Sequence, residues 1–147
     1  MGVLDTNNVL IVSSSETFTV RGLAMKLQNI GVDSVYAPPK VSEIGSKVDA
    51  NNLIILYTDE AIASAVDVLV YLKDCCAEKN KKVMVVGSQD EYNSLVKTLS
   101  EKSVYQFLER PLDMDKFLNS VENFFSEASE QARRKSILIV EIGRAHV

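Results

Sequence analysis

Side chains that could take part in chemistry follow two of the most apolar runs of this sequence. Ser13 and Ser14 come directly after residues 9–12, and Tyr57 comes directly after residues 53–56. Hydroxyl groups can donate or accept hydrogen bonds, but they provide neither a carboxylate ligand nor a carboxylate nucleophile. Because Mg²⁺ prefers charged oxygen ligands, this set predicts no divalent metal site. Whether these residues share one site depends on the elements that position them.

Five apolar runs alternate with segments of helical periodicity, and we interpret the runs as strands at residues 9–12, 34–37, 53–57, 83–86 and 104–108. A run that is apolar on both faces, such as residues 53–57, is typical of a central strand covered by helices on each side. Alternating strands and helices predict parallel units with right-handed crossovers. We therefore predict an α/β fold with a five-stranded parallel doubly wound sheet, flavodoxin-like with order 2-1-3-4-5. In such a sheet, ligands bind at the carboxyl ends of the first and third strands.

Capping residues mark the predicted helix starts. Ser88 and Glu91 match the Ser-x-x-Glu capping box, and Ser13 with Glu16 match the same pattern. Asp59 is placed to cap a long helix predicted over residues 60–78. The last helix is predicted to begin near residue 113.

Composition narrows the classes of function. The chain has 147 residues, enough for one compact domain, and its net charge of −4 favours neither nucleic acid nor an anionic membrane surface. No apolar run approaches the roughly 20 residues of a membrane helix, and no secretory segment is present. The only cysteines, Cys75 and Cys76, are adjacent, so they are predicted to fill the core and its boundary in a reducing compartment. These features predict a cytoplasmic protein.

The pattern of strands and motifs from about residue 7 to residue 126 resembles a response-regulator receiver domain. The similarity lies in the strands at residues 9–12, 53–56 and 83–86 and in residues 110–112 (RPL), which are similar to the family's Lys-Pro-Phe motif. The resemblance implies a role in two-component phosphorelay signal transduction. In that family, two acids after the first strand and an acceptor aspartate after the third hold Mg²⁺. A hydroxyl after the fourth strand and a lysine after the fifth stabilise the phosphoryl oxygens.

This chain departs from the family pattern at each of these positions. The acid pair, the acceptor, the hydroxyl, the lysine and the family's switch aromatic correspond to Ser13 and Ser14, Tyr57, Gly87, Arg110 and Phe107. Only Arg110 keeps the charge and only Phe107 keeps the ring. The chain therefore resembles a degenerate receiver, or pseudo-receiver. We expect no phosphorylation, no bound metal, no cofactor and no catalytic residue.

Some roles stay open at this stage. Tyr57 is expected to fill the emptied pocket, and the alternatives are a phosphotyrosine or a contact with a ligand. Asp59 is interpreted as a helix cap rather than as a displaced acceptor. Arg110 has three possible environments, which are pairing with Asp59, pairing with Glu109 or exposure to water.

The end of the chain contains a repeat. Residues 135–140 (KSILIV) are similar to the first strand. We therefore predict a receiver-like domain at residues 1–126, a helical linker at residues 127–134 and the first strand of a truncated second receiver at residues 135–140. Residues 141–147 can be encoded by a widely used sequencing-library adapter, and we interpret them as non-native.

The leading hypothesis is a non-enzymatic module that acts through protein–protein interaction. Its expected partners are a second receiver or an output domain of the same chain, a histidine kinase, or a second copy of itself. The face formed by the helix after the fourth strand, the fifth strand and the last helix is the expected contact surface. The alternatives are a small flavodoxin-like cofactor-binding protein or enzyme and an orphan structural domain. The flavodoxin-like alternative lacks a glycine-rich phosphate loop after the first strand.

Overall fold

The chain forms one five-stranded sheet. The computed structural model describes the backbone of residues 7–145 and the side chains of residues 7–129. The strands are β1 (Asn7–Val12), β2 (Val32–Ala37), β3 (Leu53–Tyr57), β4 (Lys82–Gly87) and β5 (Val104–Glu109). Neighbouring strands are parallel, and their order is β2-β1-β3-β4-β5. The predicted flavodoxin-like topology is confirmed.

Helices cover both faces of the sheet. They are α1 (Phe18–Asn29), α2 (Val41–Ala50), α3 (Glu60–Ala63), α4 (Val66–Lys79), α5 (Gln89–Leu99) and α6 (Met114–Ala145). Helices α1 and α6 pack on one face, and α2, α3, α4 and α5 pack on the other. None of the described helices combines the length and the apolarity that crossing a membrane requires.

Alternation along the strands explains why the central strands are apolar throughout. Val9 and Ile11 of β1 contact the core under α1 and α6, whereas Leu10 and Val12 contact the core on the opposite face. Successive side chains of a strand point to opposite faces, so a strand covered on both sides needs apolar residues at every position. Both layers of the core thus meet at β1, β3 and β4.

The helix predicted over residues 60–78 is interrupted. Ala65, with a ψ of 75°, leaves the helical region between α3 and α4. The interruption changes which side chains of the second segment face the sheet. An uninterrupted helix would place Val66 on the same face as the buried Ile62, four residues earlier, but Val66 is 57% exposed and Val68 is buried instead. No glycine or proline marks this break, so the sequence pattern alone does not reveal it.

The start of α1 also differs from the prediction. The capping box expected at Ser13 and Glu16 is wrong, because Thr17 is the N-cap and its Oγ1 accepts a hydrogen bond of 3.2 Å from the backbone N–H of Val20. The Ser13 hydroxyl instead donates to the carbonyl of Ser15 at 3.1 Å. The residues after β1 therefore form a short loop rather than the first turn of a helix.

The last helix runs through the segment in which a repeated strand is expected. The backbone of residues 135–140 is helical and belongs to α6. A helix satisfies its own backbone hydrogen bonds, whereas a strand requires a neighbouring strand to pair with. The side chains of residues 130–147 lie outside the described part of the chain. The boundaries at residues 126, 134 and 140 and the non-native origin of residues 141–147 therefore stay predictions.

Deletion of residues 135–147 should leave the free energy of unfolding within about 1 kcal/mol of the intact chain. The reason is that the described core side chains of α6 end at Phe125. Urea denaturation followed by circular dichroism measures the difference. A larger loss would show that the terminal segment packs on the domain and would contradict the predicted domain boundary.

Candidate functional site

The carboxyl ends of β1, β3, β4 and β5 lie along one edge of the sheet, and the predicted site residues meet there. Backbone hydrogen bonds continue the ladder past the strand ends. The N–H of Thr58 donates to the carbonyl of Val86 at 2.9 Å, and the N–H of Arg110 donates to the carbonyl of Gly87 at 2.9 Å. In doubly wound sheets this edge is where ligands bind.

The two serines after β1 have different environments. Ser13 is buried, and its carbonyl accepts a hydrogen bond of 3.1 Å from the Tyr36 hydroxyl. Ser14 is exposed, and its hydroxyl donates to Oδ1 of Asp59 at 3.0 Å. Both serines thus take part in contacts within the protein.

Asp59 is the N-cap of α3, as predicted. Its Oδ1 accepts a hydrogen bond of 3.0 Å from the backbone N–H of Ile62 in addition to the one from Ser14. A carboxylate that satisfies the first turn of a helix is stabilised in that position. This geometry supports the interpretation of Asp59 as a structural residue.

Tyr57 ends β3 at the position that corresponds to the acceptor. It is partly buried and packs against the core under α1 and α6. The Arg110 guanidinium lies near its ring, with Cζ 5.7 Å from the ring centroid. At this distance the ring attracts the cation. Tyr57 therefore fills the strand edge and also lies next to the charged residue that follows β5.

A tight contact surrounds Gly87 at the end of β4. A Cβ at this position would lie 2.1 Å from Cγ2 of Thr58 and 3.0 Å from Oε1 of Glu91. Thr58 itself is fully buried. The space in which a hydroxyl-bearing side chain would project from β4 is therefore occupied by Thr58 and Glu91.

Arg110 has a partner that the sequence did not reveal. Its Nη2 donates to Oε1 of Glu91 at 2.6 Å, so the predicted pairing with Asp59 or Glu109 is wrong. The same Glu91 oxygen accepts from the backbone N–H of Ser88 at 2.9 Å within a complete capping box. The capping box was predicted from the sequence, but the ion pair was not, because it joins residues that are far apart in the chain.

Phe107, at the position of the switch aromatic, is stacked on Tyr92 of α5. The ring centroids are 4.4 Å apart and the planes differ by 16°. Phe107 is partly buried against the core on the α4 and α5 side. The aromatic side chain of β5 is thus held by the helix that follows β4.

The side chains of this edge do not fit a Mg²⁺ site. The positions that would supply carboxylates carry Ser13, Ser14 and Tyr57, and the nearby carboxylates of Asp59 and Glu91 accept hydrogen bonds from protein groups. Among the residues that the structure describes, no three acidic, histidine or cysteine side chains form a metal-binding group. The donor set therefore lacks the charged oxygens that this ion requires.

The two cysteines lie away from this edge. Cys75 is buried in the core, and Cys76 is partly buried beside it, which confirms their interpretation as core and boundary residues. Burial raises the pKa of the Cys76 thiol to about 11. A thiol with this pKa is protonated at neutral pH and is a poor nucleophile.

This fold, a parallel sheet of order 2-1-3-4-5, is similar to that of solved response-regulator receiver domains. The receiver domain of the Francisella response regulator 1452 superposes with a TM-score of 0.64 at 15% identity, over 84% of this chain and 99% of that one. A response regulator receiver protein from Pseudomonas putida superposes with a TM-score of 0.61 at 23% identity, over 80% of this chain and 97% of that one.

A third similar structure is the beryllofluoride-activated NtrC4 receiver domain dimer. It superposes with a TM-score of 0.61 at 23% identity, over 82% of this chain and 97% of that one. No protein-family model and no curated protein matches the chain. The similarity to these solved structures therefore establishes the fold.

Proposed function

We propose that this chain is a receiver-like module of two-component signal transduction that accepts no phosphoryl group and acts through protein–protein contact. It is not an enzyme under this proposal. The main observation in its favour is the set of side chains at the carboxyl edge of the sheet. Tyr57 stands at the position that corresponds to the acceptor, and Arg110 is paired with Glu91. Phosphoryl transfer to a receiver needs a carboxylate nucleophile and a metal that neutralises charge.

Each remaining group at the edge supports this proposal. Asp59 is the acid closest in sequence to the acceptor position, and its Oδ1 already accepts hydrogen bonds from Ser14 and Ile62. Gly87 provides no hydroxyl, and Thr58 fills the space beside it. The cation at position 110 has an internal counter-ion.

A second copy of the chain or another receiver is the partner class that the proposal favours. One of the similar structures is a receiver-domain dimer. The predicted contact face consists of α5, β5 and the first half of α6. The most exposed large apolar residues, Phe18, Met25, Val35, Val66 and Val70, lie elsewhere, on α1, β2 and α4. Partly buried aromatic side chains do lie on the predicted face, namely Tyr92, Tyr105, Phe107, Phe124 and Phe125. A contact on this face would therefore combine aromatic packing with hydrogen bonds and charge.

Incubation with acetyl phosphate or phosphoramidate and Mg²⁺ should add no phosphoryl group to the chain. The expected result is an intact mass that stays unchanged, because no free carboxylate stands where the acceptor and metal ligands would be. Electrospray mass spectrometry measures the mass, and a receiver domain with an intact acceptor serves as the positive control.

An adduct of one phosphoryl group that maps to Asp59 would contradict the proposal. The Asp59→Asn variant is the matched control, since it removes that carboxylate while asparagine can still cap α3. Labelling that disappears in this variant would identify Asp59 as a displaced acceptor. The module would then be regulated by phosphorylation.

The alternative of a flavodoxin-like cofactor binder has less support. An open depression of about 370 Å³ beside the strand edge is lined by Glu60, Asp90 and Glu91. The carboxylates of Glu60 and Asp90 repel the phosphate of a flavin nucleotide, and the carboxylate of Glu91 is already paired with Arg110. A visible absorbance spectrum of the purified protein, or of the protein mixed with flavin mononucleotide, distinguishes the two functions, because only the alternative predicts bound flavin.

A further inference from the structure

The carboxylate of Glu91 is held at the strand edge by two donors. Its Oε1 accepts from Nη2 of Arg110 at 2.6 Å and from the backbone N–H of Ser88 at 2.9 Å. The side chains of Glu91 and Arg110 are 15% and 33% exposed, so water reaches the pair only in part. Hydrogen bonds between charged groups are stronger than neutral ones. An external anion at Arg110 would have to displace this carboxylate.

The Glu91 carboxylate also lies close to the end of β4. Oε1 lies 3.0 Å from the point where a side chain on Gly87 would begin. In receiver domains, a hydroxyl after the fourth strand and a lysine after the fifth hold the phosphoryl oxygens. Here the residues at those two positions, Gly87 and Arg110, are both adjacent to the Glu91 oxygen.

The next residue of the same helix makes a second connection to β5. Tyr92 stacks on Phe107 with ring centroids 4.4 Å apart, one residue along α5 from Glu91. Two consecutive residues of α5 therefore contact the β5 segment. Glu91 contacts Arg110, which directly follows β5, and Tyr92 contacts Phe107, which lies within β5. The ion pair and the ring stack connect the same two elements, so a shift of α5 against β5 would break both.

We propose that the Glu91 carboxylate is a permanent internal anion that takes the place of a bound phosphoryl group and holds α5 and β5 in one arrangement. The site is thus an anion site that its own chain occupies, and a small dianion such as phosphate is the ligand it would take if Glu91 were neutral. The correspondence to a phosphoryl site and the meaning for signalling rest on the proposed function, whereas the contacts of Glu91 with Arg110, Ser88 and Gly87 rest on the geometry.

The test is a phosphate titration of the full chain followed by ¹H–¹⁵N NMR, including the Nε–H resonance of Arg110. The Glu91→Gln variant removes the negative charge but keeps an oxygen that can complete the capping box with Ser88. We expect inorganic phosphate to shift Arg110 and the amides of residues 87–92 saturably in this variant. The apparent affinity should be at least about tenfold higher than in the unchanged chain.

Asp90→Asn is the matched control, because it removes one negative charge from an exposed neighbour in the same helical turn. It should respond to phosphate as the unchanged chain does. A Glu91→Gln spectrum and phosphate response equal to those of Asp90→Asn would overturn the proposal. A strong response of Arg110 in the unchanged chain would overturn it as well.

A second variant covers the case in which Glu91→Gln fails to fold. Arg110→Gln leaves the cap of α5 intact and removes the cation. It should shift the amides of α5 and β5, while an unchanged spectrum of both elements would refute the proposal. Phosphodonor labelling of Asp59 would contradict the proposed function without affecting this result, so the two failures are distinguishable.

Discussion

Replacement of Gly87 with alanine should destabilise the domain by about 1–3 kcal/mol, the range for inserting a methyl group into a filled core. The added Cβ would lie 2.1 Å from Cγ2 of Thr58, which is fully buried and cannot rotate into solvent. Urea denaturation of the two proteins measures the loss. A variant as stable as the unchanged chain would show that Thr58 can move away.

Two further variants make the test specific. Thr58→Ala combined with Gly87→Ala removes the clashing methyl group of Thr58, and the remaining Cβ of residue 58 lies 3.6 Å from the new methyl, while Oε1 of Glu91 stays 3.0 Å from it. The double variant should therefore regain on the order of 1 kcal/mol relative to the additive expectation. Gly22→Ala is the control, because nothing lies within 4 Å of its Cβ position in α1. It should be neutral or stabilising, by up to roughly 1 kcal/mol.

A larger loss is expected at the centre of the core under α6. Phe117 is fully buried between α6, α1 and the sheet, and Phe117→Ala should cost about 3–5 kcal/mol of unfolding free energy. Both the lost burial and the remaining cavity contribute to this cost. Thermal and urea unfolding measure it, and a loss below roughly 1 kcal/mol would contradict the packing of α6 on the sheet.

Phe18→Ala is the matched control for that substitution. Phe18 lies at the start of α1 and is 90% exposed, so the same change of side chain should alter stability by less than about 0.5 kcal/mol. The difference between the two phenylalanines isolates burial as the cause. A large loss at Phe18 would instead indicate that this ring is covered, for example by a second copy of the chain.

The contacts at the strand edge also bear on which substitutions could allow the domain to accept a phosphoryl group. Introducing Asp at position 57 would restore a carboxylate, but Gly87 could not become serine or threonine while Thr58 fills the adjacent space. Arg110 would in addition stay paired with Glu91. Under the proposed function these contacts act together, so we expect no substitution at one position alone to permit phosphorylation.

The sequence by itself determined the features that depend on neighbouring residues. The apolar runs at residues 9–12, 53–56 and 83–86 predicted strands, and the third strand was predicted to be covered on both faces. Those strands bring the site positions to one edge. The capping box at Ser88 and the N-cap at Asp59 were predicted for the same reason. Such features need only hydrogen bonds or periodicity within a few residues of the chain.

Only the tertiary structure decided the contacts between distant segments. Arg110 pairs with Glu91, 19 residues earlier, and not with Asp59 or Glu109, because the placement of α5 beside β5 sets which carboxylate it reaches. Thr58 excludes a side chain at Gly87 only because β3 and β4 are adjacent. The segment at residues 135–140 has the local pattern of a strand, but its backbone is helical. Pairing of a strand depends on a partner strand elsewhere, which local residue patterns do not specify.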